Sequence, residues 1–415
     1  MHRSYQYRNA TSFKITFPDF PSFTTLPHNF RLIQKAGKQD VVEITYPNFT
    51  PFYQQALKTG VPLTISWTNG LNTNTWYGYV YDVSPTHQQS LKKPVMVRGM
   101  GSSFGLKDMG NKIWVNRTAT EIVTEIAQKF KLKPKVTPSK IRFSQQSMVN
   151  HTYWEKLKEL AHRVGYVVQM SNTELHFHPL DVMIDKFATV IPVLYHDWEE
   201  NQVVSIMSPT LDTFVPTVGD STEGMYSKRE KQISGIDPLT GKAFTASHSP
   251  SDFKKTLRKD VRNTLFKESL SGTMSSSPSM ARELSKAQAV LSHYSLRAEG
   301  KGQGDPLMAP YRTVEVNGTG DFTDGFWVIE DVEHFVTHDG RYYVDFTCMS
   351  DGTGANKGGV FRPTMAGTVP VRNLAFEAST EGLSAPTSTR ISATTTIVNA
   401  NSVGYTVAPR RWVGA

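Results

Sequence analysis

The chain has 415 residues, enough to bury large cores and to hold about two to four domains. Hydrophobic residues make up 38% and aromatics 11%, which suits a folded, β-rich protein and excludes wholesale disorder. The net charge of +8 fits nucleic acid, an anionic membrane or an acidic protein partner. Lys and Arg nevertheless form no long run, and the densest stretch, residues 253–263 (FKKTLRKDVRN), reads as a solvated face.

Residues 1–110 read as short strands. Phe13, Ile15 and Phe17 alternate, as do Leu63, Ile65 and Trp67, then Trp76, Gly78 and Val80. Asn69-Gly70 lies between the last two sets, in an Asn/Thr-rich loop too long for a two-residue turn. Strands at this spacing predict an antiparallel barrel or sandwich.

Residues 111–180 change character. Thr118 with Glu121, and Thr152 with Glu155, are capping-box patterns that open two amphipathic helices. The second carries Trp154, Leu157, Leu160, Ala161 and Val164 as its stripe and ends at Gly165. YVVQM and TELHFH follow, joined at Ser171-Asn172, so the module is α+β. It has a LysM-like flavour, which raises peptidoglycan binding or cleavage as an alternative function.

Residues 181–355 return to strands, with a turn at Asp237-Pro238 and Gly241. A polar, Ser-rich insertion at about 251–304 ends in an Ala-rich helix. Leu284, Ala287, Leu291 and Leu296 approximate its face, and Gly300 is its expected stop. Three strand patterns follow, RTVEVNGTG, DGFWVIEDVEHFV and RYYVDFTCM, with a hairpin turn at His338-Asp339-Gly340. Residues 356–415 read as a Gly-rich linker and an extended arm over 363–415, poor in large apolar residues.

No run of 18 apolar residues is present, so no transmembrane helix is expected, and the N-terminus lacks the apolar core of a signal peptide. Cys348, the single cysteine, lies in an alternating strand and reads as a buried inert thiol. GSSFG at 101–105 matches a nucleophile elbow at Ser103, but LKDMGNK after it is too short and Gly-broken for the required helix. Glu330 and His334 would share a strand face about 13 Å apart, too far to hold one ion. His176 and His178 read as surface histidines without a further ligand. GKGQG at 300–304 follows a helix, the wrong order for a phosphate cradle. No catalytic, metal or cofactor site is predicted.

One ordered set of residues resembles a known family. Gly304, Asp305, Pro306 and Pro310, then Val314, Val316, Gly318 and Gly320, then Phe322, Asp324, Gly325, Trp327 and Val328, then His334, Tyr343 and Phe346, are similar to the late control D pattern. Those are tailed-phage baseplate hub proteins, similar also to the base of type VI secretion spikes. Tyr311-Arg312 depart from the pattern, which has a Gly soon after the last Pro. The resemblance implies a β-rich α+β fold: two antiparallel tube-type β-barrels, 1–110 and 181–355, with the small α+β domain 111–180 between them and the C-terminal arm. It implies a structural, non-enzymatic virion protein, assembled in the host cytoplasm. Its expected form is a homotrimer whose pseudo-sixfold ring joins a hexameric tail tube to a central spike or tail-tip protein. Neighbouring baseplate proteins would bind the arm, and nucleic acid would only pass through the lumen.

Overall fold

The computed structural model describes residues 11–21, 23, 26–47, 57–70, 72–85, 94–187, 192–196, 210–217, 230–237, 240–248, 267–269, 277–294, 296–319 and 323–350. The basic run 253–263, Gly320, Phe322 and the arm 363–415 lie outside them.

The N-terminal half supplies β1 (Ser12–Thr16), β2 (Asn29–Lys35), β3 (Val41–Tyr46), β4 (Pro62–Thr68), β5 (Thr73–Pro85) and β6 (Val95–Gly101). Period-2 alternation sets their faces. Leu63, Ile65 and Trp67 of β4 are buried, and the residues between them are half-buried. The C-terminal half supplies β12 (Val193–Tyr195), β13 (Leu211–Thr217), β17 (Leu296–Gln303), β18 (Thr313–Asn317), β19 (Gly325–Thr337) and β20 (Tyr342–Ser350). The N-terminal strands lie in the order β1-β4-β5-β6-β3-β2. The others lie in the order β12-β18-β19-β20-β17-β13. Matched along the chain, the two orders are identical. One polarity differs: β12 is parallel to β18, whereas β1 is antiparallel to β4.

All of these strands belong to one 12-stranded sheet, because β2 pairs antiparallel with β19 from Asn29↔Thr337 to Lys35↔Asp331. A single apolar cluster draws on both halves, with Phe30, Ile44 and Trp67 from one and Val314, Trp327 and Val344 from the other. Each half also carries a bulge at the matching strand pair. β5 slips between Val80 and Asp82 against β6, and β19 slips between Ile329 and Asp331 against β20. The extra residues are Tyr81 and Glu330, each followed by Asp-Val.

Between the halves, β7 (Met109–Thr118) and β9 (Arg142–Thr152) form an antiparallel ribbon. Each leads into a helix, α1 (Ala119–Lys129) and α2 (Tyr153–Val164), and both predicted capping boxes are formed. A small sheet of β10 (Val167–Ser171), β11 (Glu174–His178) and β8 (Lys133–Val136) packs with them, followed by α3 (Leu180–Phe187). Within this core Lys156 is buried, its ammonium donating to Gln146 Oε1, Ser147 O and Glu159 Oε2 at 2.9 Å each. Burial lowers its pKa.

Two expectations are corrected. The Ala-rich helix, α4 (Pro278–His293), stops well before Gly300. Leu296, Ala298, Gly300 and Gly302 form the buried face of β17, where a Cβ on Gly300 would lie 2.3 Å from the Phe346 ring. Small residues at alternate positions there serve a crowded strand face. Second, β14 (Glu230–Ile236) and β15 (Ala243–His248) stay outside the large sheet. They pair with each other through the predicted Asp237–Gly241 turn, and with β16 (Lys267–Ser269). Ile233, Ala246, Met280, Ala281 and Leu284 join the apolar cluster of α1 and α2, so the α4 region packs on the α+β segment.

Gly165 holds that contact. It closes α2 at φ +70°, and a Cβ there would lie 2.3 Å from Ala287 Cβ on α4. Gly165→Ala should lower the unfolding free energy by about 2 kcal/mol in urea titration, from left-handed strain and overpacking together. Adding Ala287→Gly should restore only the packing part.

Candidate assembly site

The residues of the resemblance fall into two groups. The first joins the halves. Asp305 and Pro306, in the loop after β17, dock on the β4–β5 turn. Asn72 Nδ2 donates to Asp305 Oδ2 at 2.9 Å, Asn74 Nδ2 donates to the Pro306 carbonyl at 2.8 Å, and the Leu307 amide donates to Asp305 Oδ1 at 2.8 Å. Burial raises the Asp305 pKa against these donors. Gly304 is required for contact, since its Cβ would fall 2.1 Å from the Tyr342 ring.

His334 continues this joint into the core, where it is fully buried. Its Nε2 lies 3.0 Å from the Met308 carbonyl, which can only accept, so Nε2 carries the proton. Nδ1 therefore accepts from the Tyr342 hydroxyl at 2.8 Å, and that oxygen accepts from Trp67 Nε1 at 3.0 Å. Every proton along Trp67–Tyr342–His334–Met308 is thus assigned, and the chain ties β4 to β19 and β20. Burial pushes the His334 pKa down to about 4.

The second group shapes the β18–β19 turn. Gly318 and Gly325 take φ of +81° and +133°. Asp324 Oδ1 accepts from the Thr319 amide at 2.8 Å and hydroxyl at 2.9 Å. Trp327 Nε1 donates to the Thr323 carbonyl at 2.8 Å.

The polar face of the sheet carries a charged stripe across the strands. Arg98 contacts Asp82 at 3.4 Å and Glu43 at 3.2 Å, and Arg31 contacts Glu43 at 3.4 Å. Across the joint Arg31 Nη2 donates to Glu333 at 2.8 Å and Lys35 pairs with Asp331 at 3.4 Å, and farther on Lys301 pairs with Asp345 at 3.2 Å. Single half-exposed pairs stabilise little, but the sign alternates from Asp82 through Arg98, Glu43 and Arg31 to Glu333, which favours this register across five strands, the joint included.

Other sequence candidates resolve differently. The bulge at Glu330 breaks the alternation, so His334 faces the core while Glu330 stays half-exposed and pairs with Arg297. His176 and His178 are buried, a correction to the surface reading, because β11 is the central strand of its sheet and is covered on both faces. His178 Nδ1 lies 2.8 Å from Thr137 Oγ1. Ser103 is buried in a 3-10 turn (Ser102–Lys107), with no strand-to-helix elbow. Cys348 is buried beside the Ala298 carbonyl, and burial raises its pKa. Among the described residues no cluster of three metal-ligating side chains occurs, and no helix is long and apolar enough to cross a membrane.

No family model and no curated protein matches the sequence. Solved structures do match the fold. A 43 kDa tail protein of prophage MuSo2 from Shewanella oneidensis aligns with TM-score 0.53 at 14% identity, covering 83% of this chain and 98% of that one. A tail protein from Neisseria meningitidis MC58 aligns with TM-score 0.57 at 9% identity, covering 83% and 98%. This chain has the fold of phage tail proteins. An E. coli component of the type VI secretion system, itself described as similar to bacteriophage T4 tail proteins, aligns with TM-score 0.51 at 12% identity over 86% and 82%. The tail-protein fold here includes residues that the sequence pattern missed, namely Trp67, Asn69, Asn72, Asn74 and Tyr342. The signal for the asparagines was the Asn-rich β4–β5 segment, whose side chains serve the loop at Asp305 and Pro306.

A second buried acid opposes His334. Asp40, between β2 and β3, accepts from Gln34 Nε2 at 2.9 Å and Trp76 Nε1 at 3.2 Å, and burial lifts its pKa from 3.8 to about 6. Folding therefore favours a proton on Asp40 between these values, so stability falls as pH rises through that window. His334 releases a proton on folding between 6.5 and about 4, so stability is lost as pH falls there. Each is worth roughly 3 kcal/mol, and the two offset one another. Asp40→Asn should be more stable than the parent at pH 7 and should lose roughly 3 kcal/mol more than the parent between pH 7 and pH 4, read by Trp fluorescence in urea.

Proposed function

We propose that this chain is a structural baseplate hub subunit of a phage or phage-like tail, acting without bond chemistry. The observation that carries the reading is the repeat: two halves with the same six-strand order and the same bulge. Three copies would place six similar halves around an axis. Such a ring matches a hexameric tail tube on one side and a threefold spike or tail-tip protein on the other. The tail-protein fold supports the same reading. The sheet would form two tube-type barrels, with nucleic acid meeting the protein only as it passes through the lumen. Residues 363–415 would attach neighbouring baseplate proteins.

Light scattering should give a mass of three times 46.4 kDa, and negative-stain images of that peak should show a channelled ring. A protein that stays monomeric both alone and with its tube and spike partners would overturn the hub reading. Deleting 363–415 should leave the ring mass at three copies and abolish copurification with the spike.

A further inference from the structure

We infer that a second copy of this chain seats on the far edge of β13, against the stretch of β5 that follows its bulge, Asp82–Pro85. This deepens the ring reading and rests on it. Within one chain β19 holds two strands on one edge, β18 before the bulge and β2 after it. β5 is the counterpart of β19. Before its bulge it holds β4, from Thr73 to Tyr79. After the bulge no strand among the described residues covers that edge. β13 is the counterpart of β2, and among the described residues its only strand partner is β17. The two open edges lie far apart along one sheet, so they complement each other between copies.

Superposing the bulges fixes the register. Asp82 corresponds to Asp331, Arg98 to Thr347, Glu43 to Glu299 and Arg31 to Val215. The in-chain pair Ile33↔Glu333 then becomes Thr217 opposite Ser84 of the second copy, and Leu32↔His334 becomes Pro216 opposite Pro85. Around Leu32 and His334, Ala36 N bonds Glu330 O and His338 N bonds His28 O, so alternation makes Leu32–His334 a pair that exchanges hydrogen bonds. Proline has no N–H to give, and here both members are proline. The ion pair Arg31–Glu333 also loses its counterpart, because Val215 and Ser84 are uncharged. The joint between copies is therefore weaker than the joint within a copy, and reversible.

The test mixes full-length Thr217→Cys with full-length Ser84→Cys under mild oxidation. The pair does not exchange hydrogen bonds, and its Cα atoms lie about 4.5–5.5 Å apart, within disulfide range. Cys348 is buried and does not compete. A disulfide-linked dimer on non-reducing gels should form in the mixture and in neither variant alone. Adding Pro216→Thr to the first variant should raise its yield severalfold, by restoring a donor to the edge. Absence of the linked species, or linkage within a single variant, overturns the joint. Light scattering on the parent then separates the cases: a trimer keeps the ring and moves its joint elsewhere, whereas a monomer removes both.

Discussion

The seven residue pairs between β2 and β19 make one sheet of two similar halves. Backbone hydrogen bonds alone would leave the halves free to hinge about that seam, since each bond is worth only about 1 kcal/mol net. The seam is therefore braced on both faces. On the polar face Arg31 and Lys35 reach acids of β19. On the buried face Trp67, Tyr342, His334 and Met308 share a hydrogen-bonded chain with one possible arrangement of protons. The Gly304–Pro306 loop closes the same seam from its end by taking the asparagines of the β4–β5 turn. A buried polar chain of this kind costs desolvation, and it returns specificity: only one alignment of the halves satisfies every donor.

Much of this was legible in the sequence, for physical reasons that differ by element. The capping boxes at Thr118 and Thr152 were readable because they are local, needing only a residue and its third neighbour. Strand faces were readable wherever alternation was unbroken, as in Leu63, Ile65 and Trp67. Alternation failed at Glu330, where one inserted residue swaps the faces beyond it. Gly300 misled because glycine marks both a helix end and a strand position under an aromatic ring, and only the partner Phe346 decides. The binding of Asp305 by Asn72 was hidden by a separation of more than 230 residues. Burial of His176 and His178 depends on what covers a sheet's second face, which no local pattern reports.

The repeat was harder still to see. Tyr81-Asp82-Val83 and Glu330-Asp331-Val332 share little beyond Asp-Val, and only the strand order makes them equivalent. Core positions keep apolar character without keeping identity, because hydrophobic residues of similar volume substitute freely in a packed interior. Backbone pairing is the more durable record, since shifting a strand by one residue would turn its whole buried face outward.

That equivalence also locates where the molecule has grown. The link from β2 to β3 spans residues 36–40, a tight turn that buries Asp40. Its counterpart, from β13 to β17, spans residues 218–295 and carries β14, β15, β16 and α4. Loop-closure entropy rises only with the logarithm of length, so exchanging a tight turn for so long a detour costs about 2 kcal/mol of chain entropy. The contacts of α4 with the helical segment are enough to offset a term of that size. A turn at this point can therefore carry a whole substructure while the strand ladder on either side of it keeps its order.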